Sequence, residues 1–416
     1  MSGLLDAPSE QRDSPEVMHM VDLQGLHARM ATELQGAMHE VVDSSAFIQG
    51  KHVRDFEGAL AHRLGGDCHV VGCGNGTDAL ILALRALGIG PGDEVIVPDF
   101  TFIATAEVVA LAGATPVFAD IDPHTFQLDV ASAQRAKSDQ TRAVIVVHLF
   151  GQCADMDALC AWAQSQGLYV VEDNAQSLGA SWSGTRVQGR AGLLGDVGTT
   201  SFFPSKNLGA LGDGGAVMTR NASLAEKVRL LANHGAKQKY HHLEIGLNSR
   251  LDGLQAAFLG AKLPHFNDMI ARRQKAASWY DEALGIRTET SKVGTGAAFG
   301  AGEREGEGAG ERGVVVPFRE GRSTHMFHQY CVLLPRHTDR EAVQRELQSR
   351  GIPTAVYYPT PLSSQPAFHG KGRTVDGGTP AAHEASQRIL ALPMHTELTP
   401  AMVQRVVEEL FRTLQT

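Results

Sequence analysis

Nowhere in its 416 residues does the chain carry a C-x-x-C pair, a long uninterrupted apolar run or an excess of basic over acidic side chains. The five cysteines (Cys68, Cys73, Cys153, Cys160, Cys331) form an odd set without metal-ligand spacing. That argues against a disulfide framework and a structural zinc site, and all five read as buried small hydrophobes. With 37 basic against 46 acidic side chains the formal charge is -9, which gives no electrostatic footprint for nucleic acid or an anionic membrane. No stretch reaches the roughly 18 or more consecutive apolar residues of a membrane span. The start MSGLLDAPSEQRDSPE lacks the charged and apolar regions of a signal peptide. A cytoplasmic protein without nucleic-acid or membrane partners is expected.

What the chain does have is apolar content: 43% of the residues are hydrophobic, enough for one large domain with a smaller one attached. After a polar tail at 1–20, helical patterns at 24–41 and 53–64 precede an alternation of strand-length apolar runs with helices. CHVVGC (68–73), EVIVP (94–98), TPVFAD (115–120), RAVIVVH (142–148) and LYVVED (168–173) are interleaved with helices at 77–87, 103–112 and near 155–166. Apolar strands without polar alternation, separated by helices, predict an α/β fold with a mostly parallel sheet covered on both faces. TSFFP (200–204) and GGAVMT (214–219) add two strands, and a long helical stretch at 254–284 breaks near Pro264. A large domain is therefore expected over 21–263 and a small α+β domain over 264–416. The latter contains QYCVLLP (329–335), a helix at 339–350, TAVYY (354–358) and a helix at 400–414. Within it, residues 292–313 are glycine-rich and charged, and read as an inserted flexible loop.

Ligands of open parallel sheets gather outside the carboxyl ends of the strands, and three such ends carry suggestive residues. In GCGNGTDAL (72–80) glycines lead from a strand into a helix start, where free N–H groups and the helix dipole make an anion site. A dinucleotide site is the rival, but the spacing is G-x-G-x-G; a plain N-cap with turn glycines is the bland alternative. LYVVEDNAQS (168–177) ends an apolar strand in Glu172–Asp173, which are costly to bury unless they meet a cation or several donors. Helix capping by Asp173 or Asn174 is the alternative there. In SFFPSKNLGALGDGG (201–215), Lys206 stands between an aromatic run and glycines that let backbone approach a flat ring. A desolvated lysine is suited to a Schiff base, whereas a surface lysine needs no such setting. A phosphate at a helix start, a carboxylate for a cationic ring nitrogen and a lysine for an aldehyde are together the handles of pyridoxal 5'-phosphate.

The chain resembles the DegT/DnrJ/EryC1/StrS nucleotide-sugar aminotransferases, of the fold-type I pyridoxal-phosphate class, from about residue 20 to 412. NGTDAL, GPGDEVIVPDFTFIATAEVV, TPVFADIDPHTF, VVHLFGQCADMDAL, VVEDNAQSLGA, GDVGTTSFFPSKNLGALGDGGAVMT and GLNSRLDGLQAAFL carry the likeness. The resemblance implies that Lys206 holds the cofactor's aldehyde and shuttles protons, and that Asp173 pairs with the pyridinium nitrogen. It further implies that Gly76, Thr77, Asp78 and Ser201 hold the phosphate, that Phe102 stacks on the ring and that Gln176 lies beside it. The active site would be shared across a homodimer, with Asn248 reaching the neighbouring subunit's phosphate. The related deoxysugar dehydratases carry histidine where this chain has Lys206, so transamination is implied, with glutamate as amino donor and a nucleotide-linked keto-sugar as acceptor. The stretches around 233–263, 354–368 and 391–398 are most similar to the branch that aminates C3 of UDP-2-acetamido-2-deoxy-3-oxo-glucuronate in O-antigen synthesis. For such a uronate Arg250 is the expected carboxylate partner, with an interface salt bridge as the alternative. His328 is a second substrate candidate, and the pair His241–His242 lacks trusted metal spacing. A dTDP-3-keto-deoxysugar aminotransferase and a non-enzymatic cofactor-binding regulator are the other readings. Two departures stand out: the 292–313 insertion, and YYP where the family commonly has HYP.

Overall fold

The computed structural model describes residues 18–285 and 313–415, so most of the expected tail at 1–20 and all but the last residue of the expected insertion at 292–313 lie outside the described residues. Seven strands of the main sheet come from the first 219 residues: β1 (His69–Cys73), β2 (Glu94–Pro98), β3 (Thr115–Ala119), β4 (Thr141–Val147), β5 (Tyr169–Asp173), β6 (Val197–Ser201) and β7 (Gly215–Thr219). Later in the chain come β8 (Tyr330–Leu333), β9 (Arg373–Thr374) and β10 (Ile389–Leu392). The main sheet runs in the order β1-β7-β6-β5-β4-β2-β3-β9. Strand β7 pairs antiparallel with both β1 and β6, and the remaining pairs are parallel. Seven strands therefore share one direction, and the carboxyl ends of β1, β2, β5 and β6 lie along one edge.

Both faces of this sheet are dry. Along β2, Val95 and Val97 join one apolar cluster while Ile96 joins another, and along β4 Ile145 and Val146 divide in the same way. The helix Gly76–Ala86 is buried from Ala79 through Leu84, which accounts for its almost unbroken apolar run. A further core gathers around β8 and β10, which pair antiparallel from Tyr330 opposite Leu392 to Leu333 opposite Ile389. The helices Phe266–Ala283, Arg340–Ser349 and Pro400–Thr413 supply its other walls. Tyr280 and Tyr330 stack there at 4.7 Å between ring centroids, and their hydroxyls donate to Pro393 O and Asp281 Oδ1.

Several expectations need correction. The helical stretch at 24–41 is two helices, Leu23–Arg29 and Ala31–Ser44. TAVYY (354–358) is not a strand: only Ala355 forms a bridge, to Ala391. The Tyr357–Tyr358 peptide at its end is cis. Strand β9 was not anticipated; two residues from late in the chain extend the main sheet beside β3, a pairing too short for a period-two signal. Cys73, Cys153 and Cys331 are buried, but Cys68 and Cys160 are only half-buried.

One buried acid fastens the periphery of this fold. Asp157 accepts from Trp182 Nε1, from Thr185 N and Oγ1, and from the N–H groups of Arg186 and Val187, at 2.7–3.3 Å. Burial alone raises its pKa, but the N–H donors outweigh this and bring it down to about 2. Because the folded value lies below the unfolded one, this stability is complete above about pH 4 and is lost as pH falls toward about 2. Asp157→Asn should therefore cost about 1–2 kcal/mol near neutral pH, and the difference from the parent should close in acid, as read by urea unfolding across that range.

Candidate active site

The carboxyl edge of the sheet brings together most of the residues singled out by sequence. Register fixes the arrangement: Cys73 of β1 and Ser201 of β6 both sit opposite Gly215 of β7, and Asp173 of β5 lies beside Thr199. The chain leaves β1 through Gly74 and Asn75 into the helix Gly76–Ala86. Asn75 caps it, its Oδ1 accepting from Asp78 N at 2.8 Å. Ser249 braces the same turn, accepting from Gly74 N at 3.0 Å and donating to Asp78 Oδ2 at 2.6 Å. A Cβ on Gly76 would stand 2.7 Å from Ser201 Cβ, and one on Gly215 would strike the Asn75 carbonyl. Backbone N–H groups at a helix start are thus packed directly onto the half-buried Ser201, a concave donor surface suited to an anion.

At the end of β5 the two acids part company because successive strand residues face opposite sides. Glu172 is fully buried and saturated. It accepts from Gly192, Leu194 and Gly195 N–H groups at 2.6–2.7 Å and meets His148 Nε2 at 2.8 Å. His148 Nδ1 accepts from Ala154 N, which leaves Nε2 to donate to the carboxylate. Asp173 points the other way, toward Thr105, whose hydroxyl donates to Oδ2 at 3.0 Å, while Ala175 N donates to Oδ1 at 3.2 Å. Burial raises its pKa, against these donors and the charges of Lys206 and His148.

Lys206 is at the tip of the loop that follows β6. Its residue surface is partly exposed, yet protein closes around the amine, and burial draws its pKa down to about 8 against the pull of Asp173. An amine near 8 keeps a far larger unprotonated, nucleophilic fraction at neutral pH than an ordinary lysine does. Asn207 beside it is buried with neither side-chain atom paired among the described residues. Gln176 Oε1 accepts from Phe150 N at 2.7 Å, and its Nε2 donates to the hydroxyl of Tyr358 at 3.1 Å. Phe102, 54% exposed, places its ring 6.2 Å from that of Tyr358. His328 is buried, its Nδ1 unpaired among the described residues. Its pKa lies well below the usual histidine value through burial and the charges of Lys206 and Arg273.

The remaining two predicted residues lie elsewhere. Asn248 is exposed and bridges to Asn233, and Arg250 Nη1 donates to Asn233 Oδ1 at 3.2 Å; neither is hydrogen-bonded to Lys206 or Asp173. Sequence reasoning missed Thr105, Ser249 and Tyr358. The first two are ordinary hydroxyl residues with no local signal, while Tyr358 was visible only as the departure YYP. No group of three or more His, Cys, Asp or Glu residues among the described residues is placed to hold a metal.

These features suit pyridoxal phosphate. The helix start and Ser201 match a phosphate, the buried Asp173 has no hydrogen-bonded cation among the described residues and would gain one from a ring N–H, and Lys206 presents an amine for an aldehyde. Fold and site define a fold-type I pyridoxal-phosphate enzyme. The chain belongs to the DegT/DnrJ/EryC1/StrS aminotransferase family, whose profile matches residues 28–297 and 308–411. It is 43% identical to the UDP-N-acetyl-3-dehydro-alpha-D-glucosamine 3-aminotransferase of Acidithiobacillus ferrooxidans, covering 95% of this chain and 97% of that one. It is 42% identical to the UDP-2-acetamido-2-deoxy-3-oxo-D-glucuronate aminotransferase of Pseudomonas aeruginosa (93% and 98%). A pleiotropic regulatory protein of Geobacillus stearothermophilus is 43% identical (94% and 97%). Among solved structures, S. venezuelae DesV in complex with a ketimine intermediate superposes with a TM-score of 0.85 at 35% identity, over 97% of this chain and all of that one.

Removing the Glu172 carboxylate would leave three buried N–H groups and His148 without their acceptor. Glu172→Ala should lose about 3 kcal/mol or more of unfolding free energy, and Glu172→Gln distinctly less, because it keeps one acceptor oxygen. Urea titration of both variants measures the difference; equal losses would contradict the assignment.

Proposed function

We propose that this chain is a cytoplasmic homodimeric aminotransferase that moves an amino group from glutamate to C3 of a UDP-linked 3-keto sugar, with UDP-2-acetamido-2-deoxy-3-oxo-glucuronate as the acceptor. A role in O-antigen synthesis follows from that acceptor. The observation that carries the reading is the burial of Lys206 facing Asp173 at the carboxyl edge of the sheet, beside the helix start at Gly76. The bound cofactor supplies an electron sink that lets a proton leave the carbon bearing nitrogen. Lys206 would hold the aldehyde and carry that proton, a task its lowered pKa supports. Asp173 keeps the ring nitrogen charged, and Thr105 and Ala175 N–H hold the carboxylate in place. Gly76, Thr77, Asp78 and Ser201 bind the phosphate, with Ser249 fixing Asp78. Phe102 would stack on the ring and Gln176 would lie near it, the two being joined through Tyr358.

In this reading Asn248, exposed on its own subunit, serves the partner's phosphate, and Arg250 in the same segment meets the uronate carboxylate. His328 faces the sugar with its free Nδ1. Support for the substrate comes from the two relatives named for 3-keto UDP sugars. They differ in whether the sugar is a uronate, which makes Arg250 the informative residue. The name of the Geobacillus relative favours a second reading, a cofactor-binding regulator.

The test is a panel of UDP- and dTDP-linked keto-sugars with glutamate as donor, products identified by mass. The UDP-linked uronate should turn over best, and Lys206→Ala should abolish turnover on every member. Arg250→Ala should lose roughly tenfold to a hundredfold in kcat/KM on the uronate and far less on a neutral sugar; equal losses remove its assignment. Retained cofactor with no spectral response to any amino donor supports the regulator instead.

A further inference from the structure

A second lysine is buried beneath the loop that carries Lys206, with no carboxylate bonded to it among the described residues. Lys262 ends the helix Gly253–Lys262 and is only 1% exposed. Its ammonium donates to the Gly209 carbonyl at 2.8 Å and meets His27 Nε2 at 3.0 Å. Burial lowers its pKa to about 8, and burial with the Lys262 charge lowers that of His27, so His27 accepts through an unprotonated nitrogen. An apolar side chain would fill this volume at a smaller desolvation cost, so the bond made by the ammonium is what distinguishes the position.

What that bond holds is the lysine loop. The loop closes on itself where Phe202 N donates to Gly214 O and Ala210 N donates to Phe202 O, both at 2.7 Å, and where Lys206 N donates to Phe203 O at 2.8 Å. Gly209 lies so close to the Pro204 carbonyl that no Cβ fits. The same helix makes a second tie two residues further on: Gln255 Oε1 accepts from Leu211 N at 2.8 Å. One helix therefore grips a carbonyl and an N–H on the outgoing limb of the loop.

We infer that Lys262 and Gln255 are positioning residues for Lys206, clamping the Gly209 carbonyl and the Leu211 N–H so that the loop tip stays folded over the site. The inference rests on Lys206 being the cofactor lysine, as proposed above. The charged and titratable groups that act on the Lys206 amine are Asp173 and His328, and neither belongs to the clamping helix. The clamp acts through loop placement: a loosened loop readmits water around the amine and returns it toward an ordinary lysine.

Lys262→Met removes the donor and keeps the stem, Lys262→Arg keeps a donor, and Gln255→Leu cuts the other tie with less risk to folding. In cofactor-free protein, modification of Lys206 by an amine-reactive reagent is followed by mass spectrometry across pH, and the rate of borohydride-trapped attachment of added pyridoxal phosphate is measured in parallel. In Lys262→Met and Gln255→Leu the titration of Lys206 should rise by about one unit or more, cutting reactivity and attachment near pH 7.5 about tenfold. Lys262→Arg should stay within about threefold of the parent, since it preserves a cationic donor. If Lys262→Met does not fold, Gln255→Leu decides. Variants that melt earlier yet modify and attach as the parent does overturn the inference, leaving the ties purely structural. A parent protein that does not attach at Lys206 takes down the proposed function, and the inference with it.

Discussion

The site depends on the way strand β5 ends, with two carboxylates facing opposite sides of the sheet. Neither is tolerable alone in a dry interior. Glu172 is satisfied within the protein by three backbone donors and an imidazole, so it behaves as a rivet between β5 and the segment at 192–195. Among the described residues Asp173 is served by two neutral donors and by the charge of Lys206. It is the carboxylate with capacity left over, and the rivet beside it fixes where that capacity points. Structural and chemical roles are thus divided between adjacent residues by the two-residue period of a strand.

The other half of the site follows from the single antiparallel strand. Because β7 enters the sheet reversed, its first residue, Gly215, lies at the same edge as the last residues of β1 and β6. Three stretches of backbone meet there at distances only glycine allows. Ser249 reaches in from a remote part of the chain to hold Gly74 and Asp78, and the helix Gly253–Lys262 that follows it secures the lysine loop. The segment 249–262 thereby buttresses both the helix start and the amine.

Much of this was legible because the chemistry is local in sequence. Apolar runs such as RAVIVVH announce strands covered on both faces, and glycines before a helix announce an N-terminus with free donors. Glu172, Asp173 and Lys206 were each noticeable as charge in apolar company. The illegible parts are those that depend on tertiary encounter. Strand β9 is two residues long, and TAVYY has strand composition but a turn of the chain at Tyr357–Tyr358 that its composition does not announce. Thr105 is one of several threonines until the fold sets it beside Asp173. Lys262, in the stretch GAKL, looks like an ordinary helix-ending cation, and only the structure shows it turned inward.

The close meeting of Gly76, Ser201 and Gly215 has a bearing on how such a scaffold can diversify. A contact built from main chain and one small hydroxyl residue offers substitution little to tune, because any side chain at Gly76 or Gly215 would collide with its neighbours. His328 and Arg250 lie outside that seat, in segments without regular secondary structure. Under the proposed function, exchange at those two positions would retune the sugar accepted while the backbone seat is left as it is.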